Sequence, residues 1–242
     1  MESHASLAND LVSQLGLLYE PVGVTLYGKS DPLPAGVPLA SQSYKSYCQA
    51  LALAGKGNVL LLTREQMGCK LGTTVLGFEE DAEAFLDDGV LEKFGVGLFE
   101  SEEASAETLL KSWYLERGKT HAALIAPLRV FAEPPQVVVF TANSEQVMWL
   151  LYAANYEKGG RMELPQSGGA LGGCADITAM PLLDGFPNVT FLGLGCRIKS
   201  ALDPCHLMMG IPGSSLRSIH RHILSLAKPI AMLNKSRAQS SG

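Results

Sequence analysis

The stretch that decides the fold begins Pro135-Gln136-Val137-Val138-Val139-Phe140 and continues through Asn143 to Ala154. Its first part is apolar and β-branched without alternation, the pattern of a strand buried on both faces. Asn143 then offers a helix N-cap, and Gln146, three residues on, completes a capping box. Val147, Leu150, Leu151 and Ala154 share one helical face. A buried strand feeding an amphipathic helix predicts an α/β fold, with mixed sheet or sheets flanked by helices.

Working outward, Leu7, Leu11, Leu15 and Leu18 mark a first helix over residues 5–18, and Val22 to Tyr27 a strand. Ser43 to Ala54 reads as a helix closed by Gly55, and Asn58 to Thr63 as a second strand. A short helix starts near Cys69, and residues 79–118 are acidic and helical in pattern. Residues 121–132, Val189 to Leu194 and Leu207 to Ile211 are further strands. Leu216, Ile219, Ile223 and Leu226 mark a last helix, with a polar tail beyond Asn234.

Strand, helix, strand and a Gly-Cys helix start recur in the two parts of the chain. This predicts a single domain, 1–233, of two related halves, about 1–78 and 120–233. A helical linker, 79–119, joins them, and residues 234–242 form a disordered tail. The recurrence pairs Cys69 with Cys174.

Hydrophobic residues at 47% and charged residues at 18% make a chain of 242 residues globular rather than disordered. The net charge of −5 is dispersed, so neither a nucleic-acid surface nor an acidic tail is expected. No apolar run reaches the roughly 18 residues of a membrane span, and no signal peptide opens the chain. The expectation is a cytoplasmic protein.

The cysteines number five, an odd count in a chain without a secretion signal, which argues against a disulfide framework. Cys69 and Cys174 each follow glycine and precede a helix-compatible stretch. Helix N-termini favour thiolate, and Gly68, Gly172 and Gly173 let a large or anionic group approach the backbone. Cys196 follows Gly195 at the end of an expected strand, where ligands of α/β sheets gather. Arg197 beside it is read either as neutralising an anionic centre or as paired within the structure. Cys48 lies in or at the start of a helix, and Cys205 in a turn. Four converging thiolates suit an iron–sulfur cluster or zinc. Thiols packed as small hydrophobes are the other reading, since no Cys-x-x-Cys pair occurs.

Four segments carry a family resemblance. They are Pro21-Val22-Gly23-Val24, Tyr47-Cys48-Gln49-Ala50, Gly68-Cys69-Lys70-Leu71-Gly72, and the run from Gly193-Leu194-Gly195-Cys196-Arg197 to Gly210-Ile211-Pro212-Gly213. In order and spacing the chain resembles the uncharacterised prokaryotic family known as domain of unknown function 169, over most of residues 8–226. The resemblance implies that Cys48, Cys69, Cys174 and Cys196 occupy recurring cysteine segments and that Cys205 is extra. It implies no activity.

The leading expectation is a protein holding a [4Fe–4S]-type cluster on Cys48, Cys69, Cys174 and Cys196, with zinc as the lesser cofactor. Its role is electron transfer or cofactor handling with a redox partner protein, and self-association is left open. Two alternatives stand beside it. One is a metal-free module binding a small anion or cofactor at the Gly168–Gly173 loop. The other is a zinc or thiol-dependent hydrolase using His121 or His206.

Overall fold

Six strands form one sheet in the order β2-β3-β1-β4-β6-β5. They are β1 Val22–Tyr27, β2 Leu60–Thr63, β3 Ala122–Pro127, β4 Val137–Asn143, β5 Asn188–Thr190 and β6 His206–Pro212. This computed structural model describes residues 2–44, 46–81, 98–167 and 169–240. Every neighbouring pair of these strands is antiparallel, and among the described residues parallel pairing is confined to the isolated bridges Leu39–Leu61 and Tyr44–Met67. Helices cover the sheet, as an α/β chain requires. From the centre, β1, β3 and β2 run outward on one side as β4, β6 and β5 do on the other.

The deciding stretch folds as its pattern dictates. Val137 and Val139 of β4 pack into the core on one face, while Val138, Phe140 and Ala142 pack into the core on the other. The helix after it, Ser144–Ala154, is fixed by the capping box: Asn143 Oδ1 accepts from the Gln146 N–H, and Gln146 Oε1 from the Asn143 N–H, both at 2.9 Å. The Gln146 amide also donates to the Leu15 and Gly16 carbonyls at the end of the first helix.

Among the described residues, named in chain order, the α-helices are α1 His4–Leu15, α2 Tyr47–Ala54, α3 Lys70–Val75, α4 Glu102–Leu110, α5 Ser144–Ala154, α6 Met180–Asp184, α7 Leu194–Ser200, α8 Leu216–Ser225 and α9 Ala227–Ser240. Leu7 and Leu11 of α1, Leu150 of α5 and Ile219 and Ile223 of α8 cover one face with β4 and β6. Tyr47, Ala50 and Leu51 of α2, Leu71 of α3 and a buried π-helix, Gly172–Ala179, cover the other. That second face carries the candidate site.

Several boundaries move from their sequence reading: the first helix ends at Leu15 rather than 18, the second strand starts at Leu60 rather than 58, and the strand over 121–132 ends at Pro127. The strand expected over 189–194 stops at Thr190, because Leu192 turns into left-handed backbone at φ +63°. The helix expected from Ser43 begins at Tyr47, with Ser46 as its N-cap. Residues 234–240, read as a tail, continue α9 to Ser240. Residues 82–97 of the expected helical linker, 79–119, lie outside the described residues, as do 241–242; of the remainder, Glu102–Leu110 is helical. Among the described residues no helix is long and apolar enough to cross a membrane.

The π-helix lies directly on the sheet because β6 offers it a glycine. A Cβ at Gly210 would collide with the backbone carbonyl of Ile177. Backbone cannot swing aside as a side chain does, so Gly210→Val overpacks this layer. The expected loss is about 3 kcal/mol, a fall in Tm of about 6–12 °C in thermal unfolding followed by circular dichroism. An unchanged Tm would show that the π-helix does not rest on the sheet in solution.

Candidate metal centre

Each thiol is delivered by a different piece of local structure. The Ser46 hydroxyl caps α2 by accepting from the Gln49 N–H at 3.1 Å, which sets Cys48 in the first turn. Gly68 donates its N–H to the Tyr44 carbonyl at 2.8 Å, and Cys69 follows as the N-cap of α3. Gly172 and Gly173 open the π-helix that carries Cys174. Cys196 is the third residue of α7, beyond the point where the sequence places it at a strand end. Leu171 at φ 54° and Leu192 at φ 63° hold left-handed backbone just before Gly172 and Gly193. Such non-glycine conformations cost of order 1–3 kcal/mol each and gather at functional sites. Among the described residues the only other one is Ala201, at the end of α7.

These segments bring Cys48, Cys69, Cys174 and Cys196 to the wall of one cavity of ≈ 50 Å³. Leu71 and Leu171 add apolar surface, and Lys199 adds a cation. Cys48 and Cys174 are buried, Cys69 and Cys196 half-buried. The Cys48 thiol lies 2.8 Å from the Cys196 sulfur. Among the described residues, no three of these sulfurs all lie within 4.8 Å of one another. Four thiolates on one zinc stand about 3.8 Å apart, from Zn–S bonds of about 2.3 Å in a tetrahedron. The 2.8 Å between the Cys48 and Cys196 sulfurs is shorter than that, so this pair would have to part to share an ion.

The glycines set this geometry by what they lack. A Cβ at Gly173 would sit 2.5 Å from Cys48 Sγ, and one at Gly172 would meet the Thr190 hydroxyl. Gly193 presses on the Gly169 carbonyl, whereas a Cβ at Gly195 would face open space. Tyr47, fully buried beside Cys48, is 3.0 Å from the Thr178 hydroxyl, which in turn donates to the Gly173 carbonyl at 2.9 Å. This chain of bonds locks α2 to the π-helix.

The electrostatics divide the thiols. Cys196 is pulled below the usual thiol range, first by the hydrogen bond from Cys48, then by the backbone N–H groups of Gly173 and Gly193 and by Lys199. Cys48 is pushed up by donating that bond and by burial. Burial and the other thiols raise Cys174. The cavity thus favours thiolate at Cys196 and opposes it at Cys48 and Cys174.

Not every residue the sequence singles out reaches the cavity. Arg197 spends its guanidinium on backbone: it donates to the carbonyls of Phe191 at 2.9 Å, Asp203 at 3.2 Å, Pro204 at 3.3 Å and His206 at 2.8 Å. It ties down the loops around α7, the structurally paired reading. Lys199 supplies the positive charge instead, one helical turn beyond Cys196, and that spacing was the signal for it. Cys205 is exposed, its N–H held by Asp203 Oδ1 at 2.8 Å. His206 stacks edge-on against Tyr19. Gly168 lies outside the described residues, while Gly169 lines the cavity.

The sequence reading passed over Asp176, a polar break in the apolar run Ala175-Asp176-Ile177. Its carboxyl is 1% exposed, accepts from the Ser167 hydroxyl at 2.5 Å, and is pushed up to about 6 by burial.

The profile of the family described as Uncharacterised ArCR, domain of unknown function 169, matches residues 10–222. The uncharacterized protein MJ0308 of Methanocaldococcus jannaschii is 27% identical over 208 residues, which is 85% of this chain and 88% of that protein. No solved structure matches the chain at a significant level.

In the reduced, metal-free chain, the exposed Cys205 is expected to react first with a chromogenic disulfide reagent, and buried Cys48 and Cys174 last. Cys205→Ser should delete the fast phase of the thiol titration and leave the slow phases. A fast phase that survives this change would contradict the burial of the other sulfurs.

Proposed function

We propose that this chain, which belongs to the family described as Uncharacterised ArCR, holds an iron–sulfur cluster of the [4Fe–4S] type on Cys48, Cys69, Cys174 and Cys196. The observation that carries the reading is that thiols spread over 149 positions of sequence, 48 to 196, line a single cavity. Among the described residues its wall offers four thiols and no carboxylate or imidazole. A soft, thiolate-rich donor set suits iron–sulfur clusters and zinc, and ligands scattered along the chain without a Cys-x-x-Cys pair count against a zinc ribbon.

Such a cluster supplies one-electron transfer. The chain's own groups account for the rest. The Gly173 and Gly193 N–H groups and the Ala175 N–H aim at the Cys196 and Cys174 sulfurs and stabilise thiolate charge. Lys199 offsets part of the negative charge of an anionic centre. Leu71 and Leu171 exclude water, and these levers set the potential of a bound cluster.

The role is electron transfer or cofactor handling, with a redox partner protein, in the cytoplasm, where thiols stay reduced. We also read β1 to β3 and β4 to β6 as copies of one unit, because the strand order repeats outward from the centre, which moves β3, Ala122–Pro127, from the expected second half, 120–233, into the first unit. In that reading Cys69, at the helix after β2, corresponds to Cys196, at the helix after β5, rather than to Cys174.

Anaerobically purified or reconstituted chain is expected to be brown, to absorb near 400 nm and to carry several irons. Serine at any one of Cys48, Cys69, Cys174 or Cys196 should abolish or strongly reduce bound iron, while Cys205→Ser should keep it. Stoichiometric zinc without iron, or a colourless folded chain after reconstitution, would sink the proposal.

A further inference from the structure

We infer that Cys48 and Cys196 are a redox pair, whose sulfurs join as a reversible disulfide when no metal is held and thereby bar metal from the site. The bond follows from geometry. What it bars rests on the cluster reading above.

The two sulfurs are 2.8 Å apart. That is closer than the roughly 3.5–4.0 Å between non-bonded carbon atoms, although sulfur is larger than carbon. A disulfide needs about 2.05 Å, so about 0.8 Å of approach remains (2.8 − about 2.05), within the reach of side-chain rotation. Among the described residues no such contact joins Cys69 or Cys174 to another thiol; Cys174 donates to the Leu171 carbonyl at 3.5 Å.

The scaffold holds the pair together. Cys48 cannot retreat toward the π-helix, because bare Gly173 already abuts its sulfur. Gly193, at the base of α7, is seated on the Gly169 carbonyl and fixes the helix that presents Cys196.

Access assigns the roles. Cys196 is half-buried, and Gly195 beside it faces open space, so its sulfur is the one an oxidant reaches. Cys48, 3% exposed, waits behind it. The oxidant class is a low-molecular-weight dialkyl disulfide. The Cys196 thiolate, its proton released to solvent, attacks one sulfur of the oxidant. The oxidant's S–S bond breaks, and the departing thiolate takes up a proton. Cys48, losing its own proton, then attacks the mixed disulfide at the Cys196 sulfur. The Cys48–Cys196 bond forms, and a second small thiol leaves with that proton. Two cysteine thiols are oxidised and one disulfide is reduced to two thiols.

The closed and loaded states exclude each other. Two thiolates on even a single tetrahedral ion stand about 3.8 Å apart, and those on different irons of a cluster farther still. A disulfide of about 2.05 Å permits neither.

The test uses the full chain, stripped of metal under reductant and treated anaerobically with 2-hydroxyethyl disulfide. Free thiols are then alkylated and the peptides mapped by mass spectrometry. The expected product links the Cys48 peptide to the Cys196 peptide, two hydrogens lighter, with Cys69 and Cys174 alkylated. The linked chain should lose iron uptake and recover it with dithiothreitol. The double variant Cys69→Ser with Cys174→Ser cannot hold a four-thiolate cluster, yet it should still form the same link. Links through Cys69 or Cys174 in equal yield, or Cys48 and Cys196 left as separate adducts, would overturn the pair. Undiminished iron uptake by the linked chain would overturn the barring of metal. A reduced chain that takes up no iron defeats the cluster reading, while the peptide map still decides the bond.

Discussion

The structure depends on one close approach of bare backbone. The π-helix Gly172–Ala179 lies against the sheet at Gly210 and against α2 at Gly173, and neither contact has room for a Cβ. A π-helix is a poor backbone state by itself, rare and mostly seen as short turns at functional sites. Here all eight of its residues are buried, so tertiary packing rather than propensity maintains it. Through it, the Cys174 sulfur reaches the cavity that Cys48, Cys69 and Cys196 also line.

That approach explains why strain and glycine gather on this face. Left-handed Leu171 and Leu192 precede the two segments that must turn abruptly to bring Cys174 and Cys196 inward. The Tyr47–Thr178–Gly173 hydrogen bonds tie α2 to the strained segment, and Arg197 anchors the loops on either side of α7. The opposite face, with Leu7, Leu11, Leu150 and Ile223, is ordinary apolar packing and carries no comparable strain. Burial there supplies stability that the site face gives up, at about 25 cal/mol per Å² of apolar surface removed from water.

Both the cluster reading and the thiol-pair reading follow from the same economy of space. Gly173 keeps Cys48 near Cys196, and Cys69 and Cys174 complete the wall of the same cavity. The proposed function fills that cavity with an inorganic core. Without one, the nearest two are the pair able to react with each other.

From the sequence alone came the elements and the chemistry: the buried strand at Val137–Phe140, the Asn143–Gln146 capping box, and cysteines set beside glycines. These are local signals, carried by side-chain periodicity and by hydrogen bonds three residues apart. Tertiary structure decided what local signals cannot encode. It set the antiparallel order of the strands, and it wound Gly172–Ala179 into a π-helix where the sequence suggested only a turn and a helix. It also sent Arg197 to backbone carbonyls and Lys199 to the cavity. Whether separated thiols meet depends on which glycine lies under which carbonyl across the sheet, a contact between residues such as Gly210 and Ile177 that no short window of sequence contains.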